Sequence, residues 1–337
     1  MRRGAIPPLA LALLLPALSL AAPSSEERRV HPRELSGLPS FVKRVEPSIV
    51  GLRVRVPEKA ASATRLGSRR FGSAVIFDAR GYALTVSYLL LDAASLEARS
   101  RDGRRWEAKL VGLDLDAGLG VIKLEGAGPW AAAPLGRSTD VVTGARTGTV
   151  GVDEDNDLVH VTGAVHAIQP FSAYWEWMLD RALIVAPASP QWGGSAVVND
   201  RGEVVGIASL RLGEAPHVNL AIPIERFTPV KDELIAAGRI VSRPPRPWLG
   251  LYTVEVQGVV VVSETSPIGP AAAAGFLKGD RILRVNGVAV ASQREFYEQL
   301  WSRRAGDLIE VAVQRNGGVQ VITVPSVDRH SLFRVRD

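Results

Sequence analysis

The 337-residue chain has no cysteine, so it can form no disulfide and carry no lipid on a cysteine, and its stability has to come from packing. Beyond residue 22 no apolar run approaches the roughly 20 residues that cross a bilayer, so the mature chain is expected to be soluble, without a membrane span. An excess of one charge is also missing. The formal charge is +5, and +3 once Arg2 and Arg3 are removed, which is too little to point to nucleic acid. The arginine clusters Arg65/Arg69/Arg70 and Arg99/Arg101/Arg104/Arg105 lie beside Gly67 and around Asp102-Gly103, so they read as solvated turn surfaces.

The hydrophobic content is 46%, that of a globular protein, and the length suffices for two domains. Residues 1–22 open with Met1-Arg2-Arg3, run through an apolar stretch from Ala5 to Leu20 and end on small residues. This is the pattern of a secretory signal peptide, and it predicts export. The periplasm is the expected destination, with the extracellular space left open.

After an N-terminal linker over 23–40, the region 41–240 consists of short β-rich segments such as Ser48–Val56, Gly72–Phe77, Ala117–Leu124 and Glu203–Leu210. Turn residues separate them closely, as in a β-barrel or sandwich. An amphipathic stretch through Leu234-Ile235 predicts a helix ending near Gly238. Three prolines within 241–247 then make a stiff connector and a domain boundary. In 248–325, Gly258–Ser263 reads as a strand, Val285-Asn286-Gly287 as a strand entering a tight turn, and Ser292-Gln293-Arg294-Glu295 as a capping box opening a helix to about Arg304. Strands Asp307–Gln314 and Val319–Val324 close this module, leaving a tail over 326–337.

Three segments carry a more specific signal. Ser189-Pro190-Gln191-Trp192-Gly193-Gly194-Ser195-Ala196-Val197-Val198-Asn199, followed by Gly202-Glu203-Val204-Val205-Gly206-Ile207, resembles the nucleophile segment of the HtrA/Deg (trypsin-like) serine peptidases. Gly72-Ser73-Ala74-Val75-Ile76-Phe77 with Gly81-Tyr82-Ala83-Leu84-Thr85-Val86-Ser87-Tyr88 resembles the segment leading to that family's catalytic histidine. Val111-Gly112-Leu113-Asp114-Leu115-Asp116-Ala117-Gly118-Leu119 resembles the segment carrying its orienting aspartate. The resemblance covers residues 41 to 325. It implies a mainly β fold, a chymotrypsin-like double β-barrel followed by an α+β PDZ domain.

On this resemblance the three triad positions hold Gly193 for serine, Tyr88 for histidine and Gly118 for aspartate. Acyl transfer needs a hydroxyl, an imidazole to take its proton and a carboxylate to orient the imidazole. Glycine offers no side chain, and a phenol with an ordinary pKa of about 10 is no base at neutral pH. In the turn before the nucleophile, where the family's backbone N–H groups form the oxyanion hole, Gln191-Trp192 replaces Gly-Asn. The expectation is a pseudoprotease. An active endopeptidase with a rearranged site is the alternative, using Ser195 with His160, His166 or His217.

Trp248-Leu249-Gly250-Leu251 resembles the PDZ loop that binds a peptide's terminal carboxylate, which implies capture of C-termini or unfolded segments along an exposed edge at Leu251–Val254. Phe296 and Leu300, one helical turn apart, are equally compatible with the wall of that groove and with core. No cofactor and no metal is expected. Asp153-Glu154-Asp155-Asn156-Asp157 lacks the glycine and glutamate of an EF-hand, since those positions hold Leu158 and Ala164. Trp175, Trp177 and Trp192, with Phe171 and Tyr174, are expected near the former substrate cleft, as satellite core, as a plug or as a protein-binding patch. The family typically forms trimers, so the resemblance implies a homo-trimer or assembly with an HtrA paralogue as arrangements to test.

Overall fold

The computed structural model describes residues 37–333; the signal-peptide expectation, most of the N-terminal linker and the last four residues lie outside it. Helix α1 (Ser40–Val45) buries Phe41, Val42 and Val45 and leads into the first barrel. That barrel is built from β1 (Ile49–Arg55), β2 (Arg69–Asp78), β3 (Tyr82–Val86), β4 (Ser95–Arg99), β5 (Arg105–Asp114) and β6 (Leu119–Leu124), closed in the order β1-β2-β3-β6-β5-β4. The second barrel uses β7 (Arg146–Val152), β8 (Leu158–Ala173), β9 (Trp177–Ala186), β10 (Ala196–Val198), β11 (Val204–Leu212) and β12 (Val218–Pro223), closed in the order β10-β11-β12-β9-β8-β7. Closure leaves neither barrel with an open edge. Leu52, Leu84, Leu119, Ile122, Leu158 and Leu179 are all buried in one hydrophobic cluster spanning both barrels.

Two short helices interrupt the first barrel, α2 (Ala63–Leu66) and α3 (Ser87–Leu90). Arg70, 6% exposed, reaches under the latter and donates from Nη1 to the carbonyls of Tyr88 (2.9 Å) and Leu91 (2.8 Å), and from Nη2 to Ser62 Oγ (2.7 Å). Burial lowers its pKa to about 10, so it keeps its charge, satisfied by oxygen acceptors. Two members of the arginine clusters read as solvated turn surface therefore have buried side chains: Arg70 is a strut for the turn that carries Tyr88, and Arg101 pairs with Glu46 at 3.0 Å.

Helix α4 (Lys231–Ala237) ends at Gly238 in the left-handed region, with φ 71°. The proline connector is pinned to the barrel. Glu233 accepts from the amides of Val241 (2.7 Å) and Ser242 (2.8 Å), and Arg243 pairs with buried Asp114 at 2.8 Å.

The C-terminal domain begins with the short β13 (Pro247–Trp248), followed by β14 (Leu251–Val256), β15 (Val259–Thr265), α5 (Pro270–Ala273), β16 (Arg281–Val285), β17 (Val288–Ala289), α6 (Gln293–Leu300), β18 (Leu308–Arg315) and β19 (Gly318–Pro325). The main sheet runs β14-β15-β16-β18-β19, with β17 beside β16. The β16–β17 turn takes Asn286 and Gly287 at φ 48° and 82°, the pair of left-handed residues that a tight hairpin of this sequence predicts. Ser292 Oγ accepts from the Glu295 amide at 3.1 Å, so the α6 cap forms as read from sequence.

The tail is more than a tail. Its β20 (Val327–Asp328) pairs with β13, and Phe333 enters the barrel cluster. The interdomain contact also brings Met178 of β9 into the hydrophobic cluster of the C-terminal domain.

Candidate functional site

The cleft between the barrels is assembled where the motifs predict. Tyr88 sits on α3, presented by β3, and the Ser87 amide donates to the Gly118 carbonyl at 2.8 Å. The Gly193 carbonyl accepts from the Ser73 amide at 2.8 Å, which fixes the turn before β10 against β2. A Cβ built on Gly193 would lie 3.1 Å from the Tyr88 hydroxyl. Tyr88, Gly118 and Gly193, far apart in sequence, are therefore neighbours.

Tyr88 donates its hydroxyl to the Ser209 carbonyl at 2.9 Å, and the Tyr88 oxygen in turn accepts from the Trp192 side chain. Burial pushes the phenol well above its ordinary value, so it stays protonated at neutral pH and offers no base. Gly118 has φ 82°, and a Cβ there would lie 3.1 Å from Trp177 Nε1. The space beside the histidine position that would hold an orienting carboxylate is thus taken by an indole. In the neighbouring turn the amides of Gly194 and Ser195 are spent inside the fold, on the carbonyls of Ala208 (2.9 Å) and Trp192 (3.1 Å).

Ser195 does not assemble a replacement. It is fully buried, donates its hydroxyl to the Gln191 carbonyl and lies 3.5 Å from Ser73 Oγ. Of the histidines considered as its base, His166 is exposed on β8, His217 bonds to the Gly213 carbonyl at 2.8 Å, and His160 faces Val150 across the β7–β8 pair. The acidic run at 153–157 forms a hairpin tip in which Asp153 caps the amides of Asp155 (3.1 Å) and Asp157 (2.9 Å). Among the described residues no cluster of three or more His, Asp or Glu side chains is arranged to hold a metal ion.

The second candidate site, on the C-terminal domain, differs from expectation. Leu249 and Leu251 are buried, and so are Phe296 and Leu300, both 0% exposed; the edge of β14 expected to be open is covered. The cover is the turn between β8 and β9. Tyr174 accepts the Thr253 amide at 2.9 Å, and Glu176 places its carboxylate in the Trp248–Leu251 loop, taking the amides of Leu249 (3.0 Å) and Leu251 (2.6 Å). The Gly250 amide contributes a further bond. Gly250 has φ 78°, and a Cβ would meet Gly269 Cα at 2.8 Å, so only glycine gives the loop this shape. Tyr297 of α6 completes the contact, accepting the Glu176 amide at 3.1 Å and donating to the Ala173 carbonyl at 2.5 Å.

The aromatic group is therefore split. Trp192 lies over Tyr88, whereas Tyr174 packs on Tyr252 of the C-terminal domain at 5.9 Å between ring centroids, and Trp175 stacks on Trp177 at 6.0 Å. Glu176, Thr253 and Tyr297 were not singled out in the sequence. The only available signal was an acidic residue enclosed by aromatics, at Tyr174-Trp175-Glu176-Trp177.

Two barrels with the cleft between them, followed by a carboxylate-holding α+β module, define a trypsin-like peptidase fold with a PDZ domain. Matches to known domains agree: residues 72–207 match the trypsin-like peptidase domain and residues 247–325 the PDZ domain. The chain is 30% identical over 299 residues to the serine endoprotease DegS of Salmonella typhimurium, covering 82% of this chain and 81% of that protein. It is 28% identical over 310 residues to the probable periplasmic serine endoprotease DegP-like of Ectopseudomonas mendocina, covering 86% of this chain and 62% of that protein. Among solved structures, the HtrA-type protease AlgW with decapeptide is similar with TM-score 0.54 and 25% identity, covering 86% of this chain and 98% of that one. The chain belongs to the HtrA/DegS-type family of trypsin-like peptidases with a PDZ domain, a family whose named members are serine endoproteases.

Proposed function

We propose that this chain is a non-hydrolytic HtrA-type protein of the cell envelope that captures C-termini or unfolded segments through its PDZ domain, in a scaffold, regulatory or chaperone-like role. The observation that carries this reading is the meeting of Tyr88, Gly118 and Gly193 in one cleft, with a protonated phenol and two glycines where acyl transfer needs base, orienter and nucleophile. A rearranged endopeptidase is disfavoured because Ser195 is buried and its hydroxyl is committed to Gln191. Peptide capture is supported by a loop whose amides already hold a carboxylate, and by the decapeptide bound to a similar protein. Periplasmic placement is supported by the apolar leader and by the similarity to a probable periplasmic DegP-like endoprotease. Assembly as a homo-trimer, or with a catalytic HtrA relative, belongs to the same reading and is tested by the mass of the purified particle.

The experiment is labelling with a fluorophosphonate probe alongside a casein-cleavage assay on the purified chain. We expect neither labelling nor turnover. Turnover that disappears in Ser195→Ala would overturn the reading.

A further inference from the structure

The Trp248–Leu251 loop is not empty in the folded chain. Its amides converge on a carboxylate that belongs to the barrel domain, on a residue 75 positions before Leu251. A buried glutamate needs hydrogen-bond partners, yet any polar neighbour would meet that need. Here three successive amides of one loop supply it, the arrangement of a carboxylate-binding nest.

Two further features make the segment resemble a bound peptide rather than a packing contact. The Tyr174 carbonyl accepts the Thr253 amide of β14, and two residues on, the Glu176 side chain accepts the Leu251 amide, so the β8–β9 turn lies beside β14 with its carboxylate at the loop end. The backbone of Glu176 takes φ 54°, a left-handed conformation uncommon for a non-glycine residue, and Tyr297 bonds to the chain on both sides of the turn, at Ala173 and at Glu176. Strain held at one residue, whose side chain fills a binding loop, marks a functional contact.

We propose that residues 173–176 act as a built-in pseudo-ligand, with the Glu176 side chain standing in for a C-terminal carboxylate, and that a peptide with a free C-terminus binds the PDZ domain only by displacing it. This rests on the peptide-capture reading above and adds its regulation: the site is closed in cis, and its ligand is a competitor of Glu176. The ion pairs around the contact, Arg65–Glu264 beside Tyr174, Arg294–Asp180 at 3.4 Å and Arg246–Asp116 at 3.5 Å, lie at partly exposed positions and align the domains without sealing the loop. Displacement therefore turns mainly on the Glu176 turn.

The test uses the full chain as wild type, Glu176→Gln and Glu176→Ala. The probe is a fluorescein-labelled hexapeptide, Phe-Ser-Ala-Tyr-Trp-Val, with the residues of 171–175 followed by valine, prepared as free acid and as C-terminal amide. Fluorescence anisotropy reads affinity, and hydrogen exchange reads the amides of residues 249–253. We expect the free acid to bind Glu176→Ala at least tenfold more tightly than wild type, the amide form to bind no variant, and exchange at Leu249 and Leu251 to quicken in Glu176→Ala and slow again with peptide. Glu176→Gln keeps the side-chain volume, and matching thermal melts exclude misfolding as the cause. Equal affinity for wild type and Glu176→Ala, or unchanged exchange in Glu176→Ala, overturns the proposal. Faster exchange in Glu176→Ala with the free acid binding no better than its amide leaves the cis contact standing and sinks the peptide-capture reading instead.

Discussion

Glu176 and Leu251 come from different domains, and the carboxylate oxygen of one lies 2.6 Å from the amide nitrogen of the other. Burial raises the carboxyl pKa to about 7, against the bonds from Leu249 and Leu251 and the charge of Arg329, which favour ionisation. Asp116 and the Tyr297 hydroxyl also bear on this locus, through the half-buried Arg329 and the Glu176 amide. The buried carboxyl thus holds its proton to a higher pH than the released one. Contact strength is full below the ordinary carboxyl range and falls as pH rises through about 7, by at most about 3 kcal/mol. In wild type, exchange at Leu249 and Leu251, corrected for intrinsic rates, should quicken between pH 5 and 8. In Glu176→Gln the corrected rates should be flat, and a flat wild-type profile would refute this reading.

Tyr297→Phe removes the hydroxyl that serves both Ala173 and Glu176 while keeping the ring that stacks on Trp301 at 5.2 Å. Two backbone groups lose their partner, which costs about 1–3 kcal/mol each when water cannot reach them. The variant should bind the free-acid hexapeptide more tightly than wild type and melt at a lower temperature. Unchanged affinity would show that the hydroxyl does not hold the turn.

Restoring the triad by substitution should fail at one position in particular. Gly118→Asp puts a side chain on a residue with φ 82°, against the Trp177 indole. A loss of about 2 kcal/mol or more in urea unfolding is expected.

Gly193→Ser meets only the Tyr88 hydroxyl and should fold. Combined with Tyr88→His it supplies nucleophile and base with no orienting carboxylate, so casein turnover should stay far below that of a complete triad. Rapid fluorophosphonate labelling of this double variant would show that the cleft retains more catalytic geometry than proposed.

In the C-terminal domain, Arg315 pairs with Asp280, which is 1% exposed, through two bonds of 2.7 Å. Arg315→Ala leaves that carboxylate with the Leu277 amide alone and should lower the melting temperature of the chain. Calorimetry checks this, and an unchanged melting temperature would contradict it.

The order of strands and the PDZ module were legible because turn glycines, the Asn286-Gly287 hairpin and the Ser292 cap act locally and fix their geometry within a few residues. The grouping of Tyr88, Gly118 and Gly193 in one cleft was legible because ungapped motifs place them by register. The occupant of the PDZ loop was not, since nothing local marks Glu176 as facing residues some 75 positions away. Phe296 and Leu300 could be groove or core on spacing alone, and the structure buries both in the hydrophobic cluster of the C-terminal domain.

An occupant tethered to the same molecule is present at an effective concentration no dilution lowers, commonly in the millimolar range for short connections. Chain ends that are scarce or weakly held lose that contest and go unnoticed. On the proposed reading, the carboxylate on the β8–β9 turn sets a threshold that only crowded or tightly held chain ends would cross.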